Sequence, residues 1–357
     1  DPGHTLFKLV QQRIEEYRQT HGRTPAIILL QNHGVFVAAD TTEEIKALHD
    51  KVTTTIAQEI ADEPDLSELE PASGLEKVLP ALRMILSQDS LKVLRYRRNQ
   101  LVEHFAASAE AFKKASLPFT PDHIVYCKAH PLYIEADGEP EGVCDEIAKK
   151  AEAFRAEHGY SPKVVMIKGA GLVAAEETAK DADTVLDVYE DVLKISALSE
   201  NFGGPHFMSD AEIEFIDNWE VENYRRKVGR SGAGAGVLAN RVAVVTGGAQ
   251  GFGGGIAEEL AKAGANVVIA DLAEETAREH CRELNELCGK NAAAFVKADV
   301  SDDASVQGMV AAAVREFGGI DLFISNAGVL RAGGLDEMDA KTFDFMTNVN
   351  YKGYFLC

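Results

Sequence analysis

Apolar residues along this chain gather in short runs that stop at glycine, and helical periodicity fills the stretches between them. The stretch "RVAVVTGGAQGFGGGIAEELAKAGANVVIAD" (241–271) predicts a buried β-branched strand, a glycine loop, an amphipathic helix and a second strand ending at Asp271. A third apolar run in "AFVKADVSD" reaches Asp299-Val300, and a fourth in "IDLFISNAGV" reaches Asn326-Ala327-Gly328. Strands alternating with helices make an α/β fold, a Rossmann-type doubly wound parallel sheet whose ligand crosses the carboxyl edge.

The earlier chain repeats itself. "YRQTHGRTPAIILLQNHGVFVAADT" (17–41) lies over "FRAEHGYSPKVVMIKGAGLVAAEET" (154–178) at one offset without gaps. Arg18/Arg155, His21/His158, Gly22/Gly159, Pro25/Pro162, Gly34/Gly171, Ala38/Ala175 and Thr41/Thr178 are identical. Each copy predicts a helix, a His-Gly stop, a buried strand, a glycine turn, a second strand and a capped helix. The copies differ at the turn, where Asn32-His33-Gly34 becomes Gly169-Ala170-Gly171. Packing needs are alike in both, so a histidine kept in one copy alone points to chemistry.

Two stretches break the pattern. Asp62-Glu63-Pro64-Asp65 through Glu70-Pro71-Ala72-Ser73-Gly74 reads as an acidic, solvated connector, and Ser231-Gly232-Ala233-Gly234-Ala235-Gly236 as a flexible linker. Segments 1–60, 75–228 and 238–357 result. In the middle segment, "PDHIVYCKAHPLYI" (121–134) reads as a strand and turn whose His123 and His130 pack or face solvent. Near its end, Ile213, Ile216 and Trp219 at helical spacing predict a docking helix.

The 357 residues are 46% hydrophobic and 26% charged, enough for sizeable cores in more than one domain. Lys+Arg is 36 against 57 Asp+Glu, a net charge of −21 that repels phosphate backbones and anionic lipid. Nucleic acid and membrane surfaces are therefore excluded as partners. The clusters Arg95-Tyr96-Arg97-Arg98 and Arg225-Arg226-Lys227 read as solvated helix faces. No apolar run approaches the roughly 20 residues of a membrane span. The 5 cysteines show no ligand spacing and read as reduced thiols of a cytoplasmic protein.

The glycine loop carries the sharpest chemistry. Gly247 opens the turn, and Gly251 and Gly253 present no Cβ to a pyrophosphate, which the following helix meets with its N-terminal N–H groups. Thr246, Gln250 and Phe252 belong to the same loop. Asp271 is placed to accept the adenosine ribose hydroxyls, and Leu272 offers no countercharge to a 2′-phosphate, which favours NAD over NADP. His33 has two readings. It is a turn histidine satisfied by hydrogen bonds, or one ligand of a metal site that needs companions.

Thr246-Gly247-x-x-x-Gly251-x-Gly253, Asp299-Val300, Asn326-Ala327-Gly328 and Asn350-x-x-Gly353 together resemble the short-chain dehydrogenase/reductase family across 238–357. The resemblance implies that the glycines and Asp271 hold NAD, that Asp299 and Val300 flank the adenine, and that Asn326 steadies the central strands. It makes Asn350 the asparagine of a catalytic tetrad, holding a water in a proton relay. It places the serine and the Tyr-x-x-x-Lys of that tetrad beyond Cys357, so the chain reads as an internal fragment, inactive alone.

"LLQNHGVFVAADTTEEI" resembles class II, zinc-dependent sugar-phosphate aldolases, which implies that His33 is a zinc ligand whose companions lie upstream of Asp1. The whole arrangement resembles bifunctional rhamnulose-1-phosphate aldolase/short-chain dehydrogenases. That implies cleavage of a ketose 1-phosphate, NAD-dependent oxidation of the aldehyde or alcohol product, sugar-phosphate and aldehyde substrates, and a homo-oligomer. A sugar-alcohol dehydrogenase with a non-catalytic aldolase-like scaffold is the alternative. A non-enzymatic nucleotide binder is a further one, disfavoured because the closing run Tyr354-Phe355-Leu356 would be an uncovered strand edge.

Overall fold

The computed structural model describes residues 3–135, 139–218, 236–289, 291–334 and 336–357. Trp219, the Arg225-Arg226-Lys227 cluster and all of the small-residue linker except Gly236 lie outside the described residues. The chain forms two compact units, neither continuous in sequence. One comprises Asp1–Glu68, Asn99–Pro131 and Val188–Ser231, the other Leu69–Arg98, Leu132–Asp187 and Gly232–Cys357.

In the first unit the helix His4–His21 stops at Gly22, whose left-handed φ of 68° lets its N–H bond back to Arg18. Strands β1 (Ile27–Leu30) and β2 (Gly34–Val37) follow as an antiparallel hairpin, Ile27 opposite Val37 and Leu30 opposite Gly34. Thr41 and Glu44 then close a capping box at the start of the helix Thr42–Ala57. A small core of Ile124, Ala129, Met208, Ile213 and Ile216 sits between the helices Pro121–Cys127 and Asp210–Asn218. Ile213 and Ile216 are thus buried as their spacing predicts.

The second unit holds both other sheets. Strands β3 (Val93–Arg97), β4 (Leu132–Ile134), β5 (Val164–Ile167) and β6 (Gly171–Glu176) form a sheet of order β3-β6-β5-β4, antiparallel except for β4 with β5. The helices Leu75–Leu86 and Pro140–His158 cover it, with Leu79, Leu82, Ile147 and Ala151 fully buried.

The two copies of the repeat are the same hairpin. Gly159 ends its helix at φ 77° with a bond to Arg155, as Gly22 does to Arg18. Ile167 faces Gly171 as Leu30 faces Gly34, and Thr178 caps the next helix through Asp181 as Thr41 does through Glu44. Burial separates them. β5 and β6 are buried throughout, whereas β1 and β2 are half-buried or exposed, so the expectation of a buried first copy is not met. β5 and β6 are flanked by β4 and β3, while β1 and β2 pair with no further strand among the described residues.

Strands β7 (Val242–Thr246), β8 (Asn266–Asp271), β9 (Ala293–Lys297) and β10 (Leu322–Ile324) are all parallel, in the order β10-β7-β8-β9. Ala243, Val245, Val267 and Ile269 pack under the helices Gly251–Lys262 and Glu274–Cys288. Val242, Val244, Val268 and Ala270 pack under Asp303–Phe317 on the other face. The sheet is doubly wound, and its order reverses between β7 and β10.

The basic run at 95–98 is not a solvated helix face. Arg95 and Arg97 stand on β3, where Arg95 pairs with Asp183 and Glu316 across the Phe317 ring, and Arg97 pairs with Asp187. The cations serve packing inside one unit, which spacing alone could not show. The acidic connector is likewise partly paired, Ser67 and Leu69 exchanging backbone hydrogen bonds with Gln100 and Arg98. Helix, not strand, is found at Pro121–Cys127 and at Gly353–Leu356.

Candidate functional site

The carboxyl edge of the parallel sheet is stitched at its switch point by Thr246. Its fully buried hydroxyl accepts the N–H of Asn326 at 3.0 Å and of Ala327 at 3.1 Å. Asn326 answers by donating its side-chain amide to the carbonyls of Thr246 and Gly247 at 3.0 and 3.2 Å. Gly247 turns the chain at φ 65°, and a Cβ there would stand 2.9 Å from Ala327 Cα.

The other glycines divide their work. Gly251 takes φ 60° with open space where a Cβ would go, so it supplies the conformation and leaves room above the loop. Gly253 is buried, and a Cβ there would overlap Gly247 O and the Asn326 amide. Its smallness serves chain-to-chain packing beneath the loop. Gln250 occupies the cap position of the helix Gly251–Lys262, whose first N–H groups have no partner within the helix, and Phe252 is exposed beside it.

Asp271 closes β8 with each carboxylate oxygen accepting one backbone N–H, Oδ2 from Ala249 at 3.0 Å and Oδ1 from Ala273 at 2.9 Å. Both oxygens keep a lone pair for a further donor. Leu272 beside it is exposed. Asp299 accepts from Ser301 N and Oγ at 2.9 and 2.7 Å, and buried Val300 packs against Gly353, where a Cβ would come within 2.9 Å of it. That contact explains the glycine of Asn350-x-x-Gly353.

Asn350 lies where the helix widens to a π-turn over Asn348–Lys352. Its amide brackets Val329, accepting that residue's N–H and donating to its C=O, both at 2.8 Å. Gly328 packs against the same amide.

His33 lies in the other unit. It is exposed, and its backbone N–H closes the hairpin turn onto Leu30 O at 3.2 Å. Asn32, at a left-handed φ of 53°, anchors that turn by donating to Phe119 O and His206 O at 3.0 and 2.8 Å. The turn borders a mainly apolar cavity of about 370 Å³ that Leu6, Val10, Leu29, Met208 and Phe215 also line. Among the described residues, no group of three or more His, Cys, Asp or Glu stands close enough to hold a metal ion. The residues present do not fit a zinc site. His123 is a packing residue, its Nδ1 accepting Phe119 N–H at 3.1 Å, and burial pushes its pKa down.

Residues 241–357 match the family model of the short chain dehydrogenases, and residues 73–160 that of the second domain of class II aldolases. The chain carries a short-chain dehydrogenase segment. The aldolase second-domain match precedes it in the chain. The oxidoreductase YuxG of Bacillus subtilis (strain 168) is 26% identical over 386 residues, covering 99% of this chain and 55% of that protein. The 2,5-dichloro-2,5-cyclohexadiene-1,4-diol dehydrogenase LinX of Sphingobium indicum is 40% identical over 119 residues, 33% of this chain and 47% of that one. Among solved structures, a 3-ketoacyl-(acyl-carrier-protein) reductase from Brucella melitensis complexed with NADH shares 36% identity over 32% of this chain and 46% of that chain, at a TM-score of 0.31. The chain spans about half the length of the curated relatives it matches.

In the short-chain dehydrogenase segment the structure brings Thr246, Gly247, Gly253, Asn326 and Ala327 into direct contact, with Asp271 one strand away. His280 was passed over by sequence reasoning. It sits mid-helix in Glu274–Cys288, and only its helical phase toward the loop could have marked it.

Proposed function

We propose that the short-chain dehydrogenase segment holds NAD across the β7–β10 switch point, within an oxidoreductase acting on a small alcohol or aldehyde. The observation that carries this reading is Asp271. It closes the strand next to the glycine loop, binds that loop through Ala249, and keeps a lone pair on each oxygen. Those lone pairs suit two ribose hydroxyls, while the carboxylate and exposed Leu272 disfavour a 2′-phosphate. When bound, NAD supplies the hydride acceptor. The chain's own residues bind and orient it. Thr246, Gly247, Gln250, Gly251, Phe252 and Gly253 form the pyrophosphate loop, whose fit rests on the open space at Gly251 and the helix N-terminus behind it. Asp299 and Val300 would flank the adenine, and Asn326, with Ala327 and Gly328 after it, would steady the central strands beneath the loop.

Asn350 holds Val329 with its side-chain amide at the π-turn, and the family resemblance assigns to it a water in a proton relay. His33 stands without companion metal ligands among the described residues. The ketose 1-phosphate reading for the whole protein rests on the family resemblance of its Asn-His-Gly turn. Both families commonly form tetramers, and a homo-oligomer belongs to the same reading.

For the second copy a scaffold role is favoured by two observations. Gly169-Ala170-Gly171 replaces the histidine turn, and the sheet that carries it shares one packed unit with the dehydrogenase segment. The experiment is calorimetric titration of NADH into the chain and its Asp271→Ala variant. Loss of one charge-assisted hydrogen bond corresponds to about ten-fold weaker binding or more. Equal affinity in the two proteins would remove Asp271 from the site.

A further inference from the structure

The peptide unit joining Gly248 to Ala249 is gripped at both ends. Its N–H goes to Asp271 Oδ2 at 3.0 Å, and its C=O lies 3.1 Å from Nδ1 of His280. A carbonyl only accepts, so Nδ1 carries the hydrogen and the imidazole is the donor. The ring is half-buried, and Gly254, in the first turn of the loop helix, packs against its Cε1 so closely that a Cβ there would come to 3.4 Å. Gly248 itself has no spare room, since a Cβ on it would stand 2.8 Å from Val245 O and 3.2 Å from Ile269. The plane of this one peptide is therefore set by an acid at the end of β8 and an imidazole from the helix that follows.

We infer that His280 is a positioning residue for dinucleotide binding. By holding the Gly248 carbonyl it fixes the peptide that Asp271 holds from the other side, and so sets both the aim of the loop N–H groups and the rotamer of the acid. Its hydrogen bond goes to the loop backbone, so it acts through that peptide. The inference rests on the reading of this loop as the NAD site. Without the imidazole the peptide is held by its Asp271 bond alone, and any loosening of the loop must be recovered on binding at an entropic cost.

The test titrates NADH into the full chain and into His280→Leu and His280→Asn, with thermal unfolding as the control for folding. Asparagine keeps a donor near the place of Nδ1, and leucine removes it. The inference predicts that His280→Leu binds NADH about five-fold more weakly, that His280→Asn recovers most of the loss, and that the Ala249 amide resonance shifts in the leucine variant alone. NADH binding by His280→Leu equal to that of the unaltered chain overturns the inference and leaves the NAD reading standing. So does an equal loss in both variants that tracks a fall in unfolding temperature, which assigns His280 to packing. Failure of the unaltered chain to bind NADH overturns the NAD reading itself, and this inference with it.

Discussion

At the scale of single residues, glycines that look alike in a motif do different things in space. Gly251 provides a left-handed backbone and leaves room above the loop, whereas Gly253 lies where a Cβ would strike Gly247 O and the Asn326 amide. The unit was legible in the sequence as a strand, a glycine turn and a helix, because those are local signals. The division of labour was not, because Asn326 reaches Gly253 from the far end of β10. Gly253→Ala is expected to lower stability by about 2 kcal/mol through overpacking, despite alanine's better helix propensity. Chemical denaturation of the two proteins checks this, and an unchanged midpoint would show that the loop can relax. Asn350 teaches the same lesson. Its place in a motif was readable, but its grip on Val329 needed the fold.

At the scale of elements, the sequence reading holds best where signals are short-range. The repeat was visible as matched apolar runs and helix stops, and the structure returns the same hairpin twice, down to the left-handed caps at Gly22 and Gly159. It did worse where burial depends on distant strands, as in β1 and β2, and where a proline-led apolar stretch read as strand folds into the helix Pro121–Cys127. His123 on that helix is buried with its Nδ1 accepting the Phe119 N–H, and burial lowers its pKa below the ordinary 6.5. The folded state then binds fewer protons than the unfolded state at pH values just below 6.5. This contribution to stability is present above that pH and is lost as the pH falls through the folded-state value. Urea midpoints at neutral and mildly acidic pH should show the loss, and a His123→Asn variant should show less of it.

At the scale of the whole molecule, composition and charge set the class but not the assembly. The sequence reads as three segments, and the compact units cut across those bounds, because Leu69–Arg98 and Leu132–Asp187 share a unit with Gly232–Cys357. The joint is made by residues without any motif. Buried Arg83 donates to Lys92 O, Asn240 O and Asp321 Oδ2 at 2.6, 3.0 and 2.7 Å, and the same Asp321 oxygen accepts the N–H of Val242 at the start of β7. Leu94 fills the space left by Gly318 at the end of the helix Asp303–Phe317. Such contacts are long-range and chemically ordinary, so periodicity cannot announce them. They make the second copy of the repeat part of the packed unit that carries the carboxyl edge of the parallel sheet. The most direct measurement of that edge's function is a paired titration of the full chain with NADH and with NADPH. The account predicts saturable NADH binding, with NADPH at least about ten-fold weaker because its 2′-phosphate meets the Asp271 carboxylate. Equal affinity for the two, or preference for NADPH, would contradict it.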